Sequence, residues 1–148
     1  MPILTNADLQ PRGTTPLIDA LAIAINTAKQ DYADGDHVII VVMTDGLENA
    51  SREFSLEQLR AMIKERMAIN WDFVFLGASF DAYRDSGRFG LDAALAMSYD
   101  ASDLQTSRVA YLFSARRAKE YFATGERRGF SDAEKRQAGD KFAPRQDS

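Results

Sequence analysis

The stretch that decides the fold is His37-Val38-Ile39-Ile40-Val41-Val42-Met43-Thr44-Asp45-Gly46. Its apolar run is short, continuous and rich in β-branched side chains. Such a run, without polar alternation, marks a strand buried on both faces, as in a parallel sheet. The polarity changes at once at Thr44-Asp45-Gly46, and Asp34-Gly35-Asp36 marks a turn before the strand. A second run of the same kind, Trp71-Asp72-Phe73-Val74-Phe75-Leu76, ends in Gly77-Ala78-Ser79. A weaker edge strand is expected at 96–98.

Helical patterns separate these runs. Thr15 is a natural N-cap and Pro16 fits a first helical position, so a helix is expected over 16–31. Leu17, Leu21, Ala24, Ile25 and Ala28 recur at its core-facing spacing. Ser55 and Gln58 form a capping-box pattern that opens a helix over 56–69. A short helix is expected over 80–86, with Ser79 as its cap. Ser102 and Gln105 open a longer one that ends near Thr124, before Gly125 and Gly129. Residues 1–13, punctuated by Pro2, Pro11 and Gly13, read as a loop. The order predicts an α/β fold: a partial doubly wound, Rossmann-like three-layer sandwich with a small, mostly parallel sheet. Residues 1–124 form the expected domain. Residues 125–148 read as a charged, flexible tail with apolar anchors at Phe130 and Phe142.

Composition narrows the function. The 148 residues fit one domain. There is no cysteine, which excludes disulfides, thiolate catalysis and zinc–thiolate sites, and the single His37 rules out a multi-histidine site. Net charge is −4, divided into −7 over 1–115 and +3 over 116–148, so nucleic acid is not an expected partner. The first ten residues carry no basic, apolar leader pattern, and no run approaches the roughly 20 apolar residues of a membrane span. A cytoplasmic location is expected.

Open parallel sheets place their sites outside the carboxyl ends of the strands. Those ends hold Thr44, Asp45, Gly46 and Glu48 after one strand, and Ser79 and Asp81 after the next; Gly13-Thr14-Thr15 precede the first helix. A threonine hydroxyl and an aspartate carboxylate are hard oxygen donors suited to Mg2+. Each also has a plainer use, as a helix cap or a turn. No phosphate-binding glycine loop and no nucleophile-elbow motif is present. The expected protein is not an enzyme; phosphoryl transfer at Asp45, with Glu48 or Asp81 beside it, is the alternative that the carboxylates leave open.

The stretch Arg12-Gly13-Thr14-Thr15-Pro16-Leu17-Ile18-Asp19-Ala20-Leu21 resembles the second metal-site loop of von Willebrand factor type A domains. Val41-Val42-Met43-Thr44-Asp45-Gly46-Leu47-Glu48-Asn49 resembles their third metal-site loop and the strand that enters it. Phe75-Leu76-Gly77-Ala78 with Asp81-Ala82 is similar to bacterial and phage members. The resemblance covers residues 10–120 and implies a doubly wound fold. It also implies a metal-ion-dependent adhesion site that captures an acidic group on a partner protein. Carried over by position, Thr15 is the threonine ligand and Asp45 the aspartate ligand. The family's first loop, Asp-x-Ser-x-Ser, occurs nowhere in this sequence, nor does a strand upstream of residue 10 present itself. One aspartate and one threonine are too few protein ligands for tight Mg2+ binding, so a protein-binding module with a weak or lost metal site is expected. The strand that the family pairs with an absent central strand would then seek a partner, and a two-fold homodimer is expected to cover it. A self-associating remnant without a ligand is the alternative.

Overall fold

The computed structural model describes residues 3–8, 17–44, 53–79 and 81–143. Strand β1 (Ile3–Asp8) is followed by α1 (Leu17–Asp31), β2 (Val38–Thr44), α2 (Leu56–Met67), β3 (Trp71–Ala78) and α3 (Ala82–Arg88). A single 3-10 turn (Ala93–Leu95) leads into β4 (Ala96–Tyr99), and α4 (Leu104–Thr124) and α5 (Asp132–Gln137) complete the order. The strands form one sheet in the order β1-β2-β3-β4, and all three pairings are parallel. This is a small α/β domain whose parallel sheet carries helices on both faces.

Strand alternation sorts the core into two halves. Val38, Ile40, Val42, Trp71, Phe73 and Phe75 point to one face, where α1, α2 and the α3 region bring Leu21, Ile25, Leu59, Ile63 and Phe89. Ile39, Val74, Leu76, Met97 and Tyr99 point to the other, under Ala110, Phe113, Ala118 and Tyr121 of α4. The three crossover helices share a face because the strand order never reverses: right-handed connections that always step the same way stay on the same side. Local chemistry sets the helix starts. Ser55 and Gln58 form the full capping box of α2. Asp103, rather than Ser102, caps α4 by accepting the Gln105 N–H.

Two expectations are corrected. Residues 3–8 are a strand, not a loop. Ile3 through Asp8 pair in register with Val38 through Met43, so the β2 edge that was expected to be open is covered within the chain. Residues beyond 125 are not a loose tail through to 143. Phe130 is buried, α5 carries its own capping box from Ser131 and Glu134, and Lys135 and Ala138 are buried. Phe142, the other expected anchor, is exposed. The segment presses tightly on the turn before β4: Phe130 N–H donates to the Ala94 carbonyl at 2.8 Å. A Cβ at Gly129 would stand 2.4 Å from that of Ala94, so only glycine allows this approach.

A buried ion pair ties this layer to the sheet. Asp72, on β3, is fully buried, and its Oδ1 meets Arg117 Nη2 of α4 at 2.9 Å. Arg117 Nε also donates to the Arg128 carbonyl, so one guanidinium joins β3, α4 and the 125–131 segment. Burial raises the Asp72 carboxyl above its usual range, and this outweighs the attraction of Arg117. Substitution Arg117→Met strands a buried carboxylate and is expected to cost about 3–5 kcal/mol at neutral pH. Because the folded-state pKa of Asp72 is raised, the native state takes up its proton more readily than the unfolded chain. Arg117 opposes that rise, so its removal raises the Asp72 carboxyl further, and the deficit of the variant shrinks as pH falls through the Asp72 range. Urea denaturation at several pH values checks this; the double variant Asp72→Leu/Arg117→Met should recover most of the loss.

Candidate functional site

The two metal-loop candidates, Thr15 and Asp45, lie outside the described residues, as do Gly13, Thr14, Gly46 and Glu48. Their flanks are described, and they converge. Helix α1 begins at Leu17, which is fully buried, and β2 ends at buried Thr44, paired with Gly77. The far flank, at Glu53 and Phe54, is tied to the start of α1 through Asp19. The Asp19 Oδ1 accepts the backbone N–H of Glu53 at 3.1 Å and of Phe54 at 2.9 Å. The first turn of α1 thus holds the point where the chain re-enters after residues 45–52. A carboxylate there also suits the positive end of the helix. The sequence places Asp19 inside the first resembling loop, but its partners are more than thirty residues away.

The rest of the carboxyl-end surface is built by β3 and β4. Ser79 follows β3 in the left-handed region, with φ at 59°. Its N–H donates to the Tyr99 carbonyl at 2.8 Å, and its Oγ accepts the Ala101 N–H at 2.9 Å. Ser79 therefore joins the exits of β3 and β4 instead of capping α3. Asp81 serves that helix: its Oδ1 accepts the N–H groups of Tyr83 and Arg84 at 3.0 and 3.2 Å. Ser98 Oγ accepts the Ala82 N–H at 3.0 Å. Beyond these lies an open cavity of about 210 Å³, lined by Ser79, Ser98, Asp100, Lys141 and Phe142 among others.

Sequence reasoning missed the group that closes this end. Asp140 Oδ2 accepts the Tyr83 hydroxyl and, at 3.0 Å, the Ser98 N–H. Burial and the carboxylate of Asp140 together push the Tyr83 hydroxyl well above its usual range, so it stays a donor. The Lys135 ammonium lies 4.9 Å from the centre of the Tyr83 ring and donates to the Ala93 carbonyl at 3.2 Å. Burial lowers the Lys135 pKa. These contacts fasten 135–142 beside β4. His37, at the other end of the sheet, packs its ring 5.2 Å from that of Tyr121.

Among the described residues, no group of three His, Asp or Glu side chains is placed to hold a metal ion. No described helix is long and apolar enough to cross a membrane. No family model, curated protein or solved structure matches the chain. The class that the fold defines is a small parallel α/β domain, and any closer assignment rests on the residues of the two loops.

The Asp19 clamp gives a direct prediction. Asp19→Ala removes two charge-assisted hydrogen bonds and is expected to cost about 1.5–3 kcal/mol. Asp19→Asn, which keeps an acceptor, should cost less. Thermal melts of the two variants check the order.

Proposed function

We propose that the chain is a protein-binding module of the von Willebrand factor type A kind, built as part of a doubly wound, Rossmann-like sandwich. It binds through the carboxyl-end surface, at a metal-ion-dependent adhesion site reduced to Thr15 and Asp45. The observation that carries the reading is the Asp19 clamp. It draws the re-entry of the Asp45 loop onto the start of α1, which Thr15-Pro16 enters. A shared hydroxyl and carboxylate would hold Mg2+ weakly, with water as most of its shell, and leave positions open for an acidic group of the partner protein. Binding is favoured over catalysis by the state of Asp81, one of the two carboxylates available to assist Asp45. Asp81 is engaged in starting α3. The module is read as cytoplasmic, with no membrane or nucleic-acid partner.

A second reading, self-association, has its own support. β1 stands at the end of the strand order, so one edge of β1 has no strand beside it among the described residues. A two-fold homodimer would join two such edges into a continuous sheet.

Light scattering coupled to gel filtration, with thermal melts in 0 and excess MgCl2, separates the two. The module reading predicts a higher melting temperature with Mg2+ and loss of that rise in Asp45→Ala and Thr15→Ala. A Mg2+-independent dimer without any thermal response would replace it with the self-association reading.

A further inference from the structure

The sheet is covered unequally. On the face of α1, α2 and α3, the β2 side chains Val38, Ile40 and Val42 are fully buried. On the α4 face, Val74 and Leu76 of β3 are fully buried, but Val41 and Met43 of β2 are only half-buried. α4 lies over β3 and β4 and reaches Ile39 at the start of β2, which is fully buried, but leaves the Val41–Met43 end of β2 part-covered. The result is an apolar groove floored by Val41, Met43 and Leu76 and walled by Tyr111, Ala115 and Ala118.

The α4 wall is built for contact. Tyr111, Ala115 and Ala118 line the groove, and Leu104 lies seven residues before Tyr111 on the same stripe of the helix. Leu104 is 68% and Tyr111 51% exposed, unusual for large apolar side chains in register with one another. Arg108 and Lys119, both exposed, lie on the outer border of the same stripe and are not ion-paired among the described residues. The length of the α4 wall fits one helix. The 21 residues of α4 offer a wall of about 31 Å.

We propose that this groove binds one amphipathic helix of a partner protein, with an apolar face and acidic residues along the edge that meets Arg108 and Lys119. Charge selects this occupant over a second copy of the chain. A copy presenting its own α4 would set Arg108, Arg116 and Lys119 against the same residues. The groove lies on a face of the sheet rather than at its strand ends, so the inference does not depend on the metal-site reading.

The test uses two labelled synthetic 16-residue helical peptides with the same leucine stripe, one flanked by Glu and the other by Lys. Fluorescence anisotropy against the full chain should show the Glu peptide binding at least tenfold more tightly than the Lys peptide. Arg108→Glu/Lys119→Glu should reverse that preference. Ala115→Glu, at an exposed position where folding is not at stake, should abolish binding while the circular dichroism spectrum and melting temperature stay unchanged. Equal binding of both peptides, or no binding of either, overturns the proposal. So does a dimer of the free chain that Ala115→Glu dissolves, which would make the occupant a second copy.

Discussion

The strand order runs one way, β1-β2-β3-β4, and every neighbouring pair is parallel. Each connection must then cross the sheet on the same side, because a right-twisted strand and a right-handed helix pack back only that way. That handedness puts α1, α2 and α3 on one face and gives Trp71, Phe73 and Phe75 a complete cover. The other face depends on the chain beyond β4. α4 and the 125–143 segment protect β3 and β4, and β2 is left half-covered. The apolar groove, and the β1 edge that has no neighbouring strand among the described residues, are both consequences of a strand order that never turns back.

The second layer is held by a small number of polar contacts across long sequence distances. Asp72 and Arg117 are 45 residues apart, and Asp140 reaches Ser98 across 42. Burying such groups is costly unless each is answered, and burial prevails over attraction in the case of Asp72. What the pair contributes is placement. It fixes α4 on β3 in one position and, through the Arg128 carbonyl, fixes the turn that brings Gly129 against Ala94. Hydrophobic cover alone, which has no direction, would not select that position.

The parts of the fold that could be read from sequence are those written in local pattern. The runs at 38–43 and 71–76 are strands, the Ser55–Gln58 pair is a capping box, and the spacing of Leu17, Leu21 and Ile25 marks a buried helix face. β1 was not legible because Ile3-Leu4-Thr5-Asn6-Ala7-Asp8 is half polar and lies between prolines; its extended form comes from pairing with β2. α5 had a local signal, Ser131 with Glu134, of the same kind as Ser55 with Gln58, but the charge of the segment drew the reading toward disorder. At the site, Asp81 proved to be a helix-starting residue, and Ser79 a link between strand exits. Asp19 and Asp140 could not be found in advance, since an acidic residue near a helix shows nothing of a partner 34 or 42 residues away.

The proposed site requires Thr15 and Asp45 to act together, and its support is the clamp of Asp19 on Glu53 and Phe54. The chain has no cysteine, so a Thr15→Cys/Asp45→Cys variant carries only the two thiols of interest. Treatment of the folded variant with a short thiol-specific cross-linker, read by mass spectrometry of the intact chain and its digest, measures their proximity. The account predicts rapid intramolecular cross-linking between the two positions, slowed when Asp19→Ala releases the re-entry point. Two thiols that are each modified but never joined would contradict it.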